Sequence, residues 1–94
     1  MREIEWSSDA LEDFDAAIGY IAIDSEAAAT VVADRLFDAI ERLADMPTGR
    51  QGRVKGTYEK FVPRTSCIVA YAMTEWTITM VRIMHASRDW QADE

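Results

Sequence analysis

The chain has 94 residues, of which 49% are hydrophobic, a formal net charge of −7 and a single cysteine. A chain this short buries a smaller fraction of its surface than a large one, so residues 1–94 are predicted to form one domain with one modest core. Cys67 lies in an apolar run without a second cysteine, which excludes an internal disulfide and favours a reducing compartment. No signal peptide is visible and no apolar run approaches the ~20 residues that span a bilayer, so we expect a soluble, cytoplasmic protein.

The two halves of the chain differ in charge. Residues 1–47 carry twelve acidic and three basic side chains, a net charge of −9, whereas residues 48–94 carry five acidic and seven basic ones, a net charge of +2. Most of these bases lie in a short stretch that contains one acid, Glu59: Arg50, Arg53, Lys55, Lys60 and Arg64. We therefore expect an acidic helical half and a basic half built of strands.

The first half predicts a strand and two helices. Residues 2–6 alternate weakly, as a short strand does. Ser7 and the residues after it are typical helix N-caps, and apolar residues then recur at helical spacing on one face, predicting a helix that ends near Ile23: Leu11, Phe14, Ile18 and Ile21.

A second helix follows Asp24 and Ser25, either of which can cap it. Its apolar stripe also has helical spacing: Val32, Leu36, Ala39, Ile40 and Leu43. Pro47 and Gly49 end it. Two consecutive amphipathic helices with a short connection predict an antiparallel hairpin that packs its apolar face on another layer.

Three strands are predicted in the second half. Residues 57–62 alternate, residues 66–73 are almost continuously apolar as in a central strand covered on both faces, and residues 76–85 form the third. Sequential strands most simply form an antiparallel meander. The predicted fold class is α+β: an N-terminal strand, an antiparallel two-helix hairpin, and a three-stranded antiparallel meander that completes a small sheet.

The last strand and its exit, residues 78–90, carry Arg82, the single histidine His85, Arg88 and Trp90. Together with motifs spread along the chain, this ending resembles the RelE/ParE superfamily of small bacterial toxins, and within it the ParE branch. The motifs are Trp6-Ser7, Ala10, Tyr20-Ile21-Ala22, Asp24-Ser25, Gly52-Arg53-Val54-Lys55-Gly56-Thr57 and Ile68-Val69-Ala70-Tyr71. The resemblance runs from about Ile4 to Trp90; one departure is Gln91, where many relatives have proline.

This resemblance implies a RelE/ParE-like fold in which the first strand lies beside the last. It also implies the toxin component of a type II toxin–antitoxin system, with a role such as plasmid stabilisation. A ParE-like toxin is expected to inhibit DNA gyrase by binding, without a cofactor, a metal or catalytic residues, and to form a complex with a neutralising ParD-like antitoxin. We expect no sequence-specific binding of nucleic acid by the toxin alone.

The alternative in the same superfamily is a RelE-like ribosome-dependent mRNA endonuclease. Its chemistry needs a base for the 2′-hydroxyl proton, an acid for the leaving oxygen and arginines for the charged phosphorane. One set of side chains could supply these groups: His85, Arg82, Arg88, Arg53 and Glu59.

Two observations weigh against cleavage. RNA-cutting relatives commonly place an arginine near the start of the central strand, where this chain has Cys67-Ile68-Val69. A net charge of −7 also suits a ribosome binder poorly, because affinity for rRNA depends on a strongly basic surface. In the structural interpretation, His85 is a hydrogen-bonded strand end and Arg82 an ion-pair partner.

The residues expected to contact the antitoxin are Arg53, Arg82, Arg88 and Trp90. A partner can bring carboxylates to the basic side chains, and a tryptophan can anchor an interface. The alternatives are that residues 50–55 form a solvated loop and that Trp90 packs onto the sheet. A toxin that has lost its activity and persists as an antitoxin-binding module is a further possibility.

Overall fold

The computed structural model describes residues 1–85. The elements are β1 (Glu3–Trp6), α1 (Ser8–Asp24), α2 (Glu26–Asp45), β2 (Arg50–Gln51), β3 (Tyr58–Phe61), β4 (Cys67–Met73) and β5 (Thr77–His85). The predicted α+β class is confirmed, because two helices pack against one five-stranded mixed sheet. Each predicted helix and strand is present, with its ends within two residues of those predicted.

The strand order in the sheet is β1-β5-β4-β3-β2. Strands β3, β4 and β5 form the predicted antiparallel meander. Strand β1 lies beside β5, as the family resemblance implied, and runs parallel to it, with Glu3 opposite Thr77 and Trp6 opposite Met80. The two-residue strand β2 was not predicted; it pairs with β3 and converts the start of the basic stretch into a sheet edge.

Two serines define the helical hairpin. The Ser7 hydroxyl accepts a hydrogen bond from the backbone N–H of Ala10 at 3.0 Å and begins α1. Ser25 both ends α1 and begins α2, because its N–H donates to Ile21 O at 3.0 Å while its hydroxyl accepts from the N–H of Ala28 at 3.1 Å. One residue therefore serves both helices, and the connection between them is very short.

The core lies between α2 and the central strands. The α2 stripe is confirmed, because Leu36, Ile40 and Leu43 are buried while Val32 and Ala39 pack at its margin. Their partners are buried apolar side chains from β4 and β5 and from the residue that follows β3: Val69, Tyr71, Ile78, Met80, Ile83 and Val62. Burial of this one face holds the hairpin on the sheet.

Two details differ from the sequence interpretation. On α1, Leu11 is 49% exposed, whereas the small Ala10 is fully buried and lets the first turn approach β5 closely. On β4, three of the four side chains on the helical side are buried, whereas on the opposite side Ile68 and Ala72 are only partly buried and only the small Ala70 is buried. The helices therefore cover one face of the central strand rather than both.

Candidate functional site

The sheet separates the candidate residues onto two faces. Arg82 on β5 lies opposite Ala70 on β4, which lies opposite Glu59 on β3. Directly opposed residues share a face of a sheet, so Arg82 and Glu59 both lie on the face away from the helices, with one strand between them. His85 lies opposite the buried Cys67, three positions from Arg82, and so on the helical face.

His85 lines a cleft of about 350 Å³ between the helical hairpin and the ends of β4 and β5. The lining residues are Ala17, Tyr20, Ile21, Val32, Arg64, Thr65, Ser66, Cys67 and His85. His85 therefore shares a cleft with Tyr20 and Arg64 and lies away from Arg82, Arg53 and Glu59. Of the side chains predicted for a nuclease, the structure brings Arg53 and Glu59 together but places His85 on the other face of the sheet from Arg82 and Glu59.

Arg82 is held by a carboxylate of α1. Its Nε donates to Asp13 Oδ2 at 2.7 Å and its Nη2 to Asp13 Oδ1 at 3.2 Å. These hydrogen bonds raise the pKa of the Arg82 guanidinium above its usual value, so the side chain stays charged. Arg82 is thus an internal ion-pair partner, although half of its side chain is still exposed.

Asp13 also completes the edge of β5, a role that sequence reasoning missed. The pairing with β1 ends at Met80, and further along the strand Asp13 Oδ2 accepts the backbone N–H of Ile83 at 2.9 Å. The Ser7 hydroxyl similarly donates to Val81 O at 2.9 Å. The first turns of α1 therefore take the place of a neighbouring strand. In the sequence, Asp13 has no signal that separates it from the other acids of α1.

Glu59 is buried and organises the basic loop between β2 and β3. Its carboxylate accepts the backbone N–H of Arg53 at 3.1 Å and lies 3.7 Å from the guanidinium nitrogens of Arg50 and Arg53. Glycine at position 52 lets the loop pass close to Thr57. A Cβ at that position would lie 2.5 Å from Thr57 Oγ1, too close for an ordinary contact. The acid predicted as a possible catalytic group therefore anchors the arginines next to it.

The loop and the strands around it form the basic patch, defined here as residues 48–64. Five basic side chains and the single acid Glu59 give this stretch a net charge of +4, in a chain whose total is −7. The loop tip is exposed, since Val54 shows 67% of its surface and Lys55 is also open to solvent. The patch can therefore receive an anionic partner.

Cys67 is buried, as expected for a small apolar side chain. Burial raises the pKa of its thiol, which keeps it neutral and unreactive near pH 7. Within residues 1–85, no three His, Cys, Asp or Glu side chains group closely enough to hold a metal ion. None of the helices in that range is long and apolar enough to cross a membrane. Arg88 and Trp90, both predicted antitoxin contacts, lie outside the described residues.

Solved structures of two toxin–antitoxin systems share this fold. A structure of the chromosomal ParDE system of P. aeruginosa aligns with a TM-score of 0.82 and 19% identity, covering 93% of this chain and 98% of that one. YafQ of E. coli aligns with a TM-score of 0.65 and 17% identity, covering 96% and 99%. The E. coli DinJ–YafQ toxin–antitoxin complex aligns with a TM-score of 0.62 and 19% identity, covering 89% and 91%. At these identities the likeness establishes the fold.

Sequence comparison establishes the family. The protein Y4kP of Sinorhizobium fredii, a proposed toxin, is 32% identical over 90 residues, which cover 95% of this chain and 93% of that protein. The profile of the family described as the ParE toxin of the type II toxin–antitoxin system parDE matches residues 4–90. This chain therefore belongs to the ParE toxins of type II toxin–antitoxin systems, within the RelE/ParE superfamily.

Proposed function

We propose that this toxin acts by binding DNA gyrase, carries out no reaction of its own, and is neutralised by a ParD-like antitoxin. Its place of action is then the cytoplasm, and maintenance of a plasmid is a role that such a pair can serve. The single observation that carries the proposal is the separation of His85 from Arg82, Arg53 and Glu59 by the sheet.

Phosphoryl chemistry on RNA needs a base, an acid and cations at one phosphate. Here Arg82 is occupied by Asp13, and Arg50 and Arg53 lie beside Glu59. A phosphorane would compete with these carboxylates for the guanidinium groups. These arginines of the outer face suit a protein partner better. Exposed basic side chains next to apolar ones steer the approach of an oppositely charged protein and fix its orientation.

A gyrase assay tests the proposal directly. Purified toxin is added to DNA gyrase and relaxed plasmid, and supercoiling and DNA cleavage are measured over a range of toxin concentrations. We expect supercoiling to fall and cleaved plasmid to accumulate, and prior incubation with a ParD-like antitoxin to remove both effects. Normal supercoiling by gyrase, with mRNA cut at codons in a ribosome-containing extract, would instead establish the nuclease.

One observation favours the nuclease alternative. His85 shares its cleft with Tyr20 and Arg64, so an acid–base pair and a cation lie on the helical face without Arg82. The His85→Ala variant separates the two functions. In a gyrase-binding toxin, His85→Ala leaves growth inhibition within a small factor of wild type. Lost inhibition, with unchanged melting temperature and antitoxin affinity, would support cleavage. Thr30→Ala, on the exposed surface of α2, is the matched control.

A further inference from the structure

The outer edge of β3 is only partly covered. Strand β2 pairs with it through Arg50 opposite Glu59 and Gln51 opposite Tyr58. No strand in the described part of the chain lies beside the last residues of β3, Lys60 and Phe61, on that side. A length of strand edge is therefore left open next to β2.

Hydrogen-bond alternation identifies which backbone groups are open. Val62 N donates to Cys67 O at 3.0 Å, so this pair is hydrogen-bonded across β3 and β4. Hydrogen-bonded and non-hydrogen-bonded pairs alternate along an antiparallel ladder, so the N–H and C=O of Phe61 point away from β4. Thr48 lies where β2 would continue opposite Phe61, but its carbonyl accepts the hydroxyl of Tyr71 instead.

A cleft lined by both charged and apolar side chains accompanies this open edge. It has a volume of about 410 Å³ and is lined by Gly49, Arg50, Glu59, Lys60, Phe61 and Ile68. Phe61 is 51% exposed, and it lies opposite Ile68 on the outer face of the sheet. A strand added beside β3 would place alternate side chains on the outer face next to Phe61.

Charge defines the chemistry of the occupant. Arg50 and Lys60 line the cleft together with the acid Glu59, which is paired with Arg50, and the surrounding basic patch has a net charge of +4. Acidic side chains on an added strand would complement them. Nucleic acid can also bind basic groups and single backbone N–H donors, but only an extended peptide has the N–H and C=O spacing that continues a sheet, so these observations favour a peptide.

We propose that the antitoxin adds an extended segment, with acidic and apolar residues, to the sheet beside β3. Backbone hydrogen bonds to Phe61 supply affinity, and the cleft selects the side chains, as in other cases of strand addition. This inference rests on the antitoxin partnership of the proposed function. It assigns to the antitoxin a surface outside the predicted contacts Arg53, Arg82, Arg88 and Trp90.

Amide hydrogen exchange measured by NMR tests the contact. Full-length toxin is compared alone and with a ParD-like antitoxin. We expect the Phe61 amide to exchange at least about tenfold more slowly in the complex, because an exposed edge amide becomes hydrogen-bonded. The amide of Glu75, in the exposed turn between β4 and β5, is the control. Formation of the complex without protection of Phe61 overturns the inference and leaves the antitoxin partnership intact.

Two substitutions at one position isolate the backbone bond. Phe61→Ala removes the ring and keeps the N–H, whereas Phe61→Pro removes both. Proline is tolerated where the N–H faces outward from an edge strand, so both variants are expected to fold, and melting curves check this. Antitoxin affinity should fall about tenfold further for Phe61→Pro than for Phe61→Ala.

Equal affinities of the two folded variants overturn the inference. So does stronger protection of Phe61 by a short DNA duplex than by the antitoxin, which would assign the edge to nucleic acid. If wild-type toxin binds no ParD-like antitoxin at all, the proposed partnership fails together with the inference, and that outcome is distinct from a complex that leaves Phe61 unprotected.

Discussion

The Asp13 carboxylate accepts a backbone hydrogen bond from β5 that a neighbouring strand would otherwise accept. Beyond Met80 the edge of β5 loses β1, and unpaired edge groups are sites of unwanted association. One carboxylate meets both the guanidinium of Arg82 and the N–H of Ile83. Loss of the ion pair with Arg82 and loss of the hydrogen bond to Ile83 should therefore lower the unfolding free energy by different amounts.

The two partners of this ion pair should differ in their contribution to stability. Asp13→Ala removes the acceptor of a backbone N–H and is expected to cost about 2 kcal/mol of unfolding free energy. Arg82→Ala removes a half-exposed charge and is expected to cost less than about 1 kcal/mol. Urea unfolding of both variants checks the order. A larger loss for Arg82→Ala than for Asp13→Ala would contradict the assignment of Asp13 to the strand edge.

The exposed arginines of the outer face should contribute to antitoxin affinity. Arg53→Ala and Arg82→Ala remove charges that carboxylates of the antitoxin can reach. Because these charges are exposed, each variant should lose less binding free energy than the roughly 2–5 kcal/mol that is lost when one partner of a buried charge pair is removed. Titration calorimetry in low salt and in high salt measures the effect, which should shrink with salt. Arg42→Ala, on the exposed side of α2, is the control. Unchanged affinity in both variants would exclude the contact.

At the scale of elements, the helices and the meander could be predicted because their signals are local. The Ser7 and Ser25 caps and the α2 stripe depend on neighbours within a few residues. Strand β2 could not be predicted, since a two-residue strand has no periodicity and forms only when Arg50 reaches Glu59. The place of β1 beside β5 was predicted from the family resemblance rather than from periodicity, and its parallel direction was not predicted.

The candidate site was less predictable than the fold for the same reason. The position of His85 on the helical face depends on strand register, which a single sequence does not give. The register shifts between Ala70 and Tyr71, so that Val81 is left as an extra residue on β5. The partnership of Asp13 with Arg82 spans 69 positions, far beyond any local pattern.

Tyr71 joins β4 to the segment that leads into β2. Its buried hydroxyl donates to Thr48 O, and burial, followed by the nearby Tyr58, raises its pKa. Since the folded state holds this proton more tightly than the unfolded state, the stabilisation is complete below about pH 10 and declines as the pH rises past the unfolded pKa towards the folded one.

Tyr71→Phe tests this link. At neutral pH the variant loses a hydrogen bond, which is expected to cost about 1 kcal/mol. Above about pH 10 its melting temperature should decline less steeply than that of wild type, so that the two curves converge. The other ionisable side chains are the same in both proteins, so the comparison isolates Tyr71. If the melting temperatures of Tyr71→Phe and wild type fall in parallel between about pH 8 and pH 11, Tyr71 does not account for the loss of stability at alkaline pH.

On the scale of the whole molecule, a small core leaves apolar surface on the helical hairpin. Near the connection between the helices, Tyr20 is 65%, Ile23 80% and Val31 43% exposed. A 94-residue domain has little stability to spare, so a partner that covers this surface adds burial that the chain lacks alone. An amphipathic segment that is disordered until it binds fits this need.

Antitoxin binding should therefore stabilise the toxin and create helix in the antitoxin. At a free antitoxin concentration one hundred times its dissociation constant, mass action adds about 2.7 kcal/mol to the unfolding free energy. Thermal melting monitored by circular dichroism should show an upward shift and, below the transition, more helical signal than the sum of the separate proteins. A matched variant, Ile23→Ser, removes exposed apolar surface near the end of α1 and should reduce the shift at equal concentrations. An upward shift with additive dichroism would mean that the antitoxin docks already folded, because coupled folding requires new helix to appear on binding.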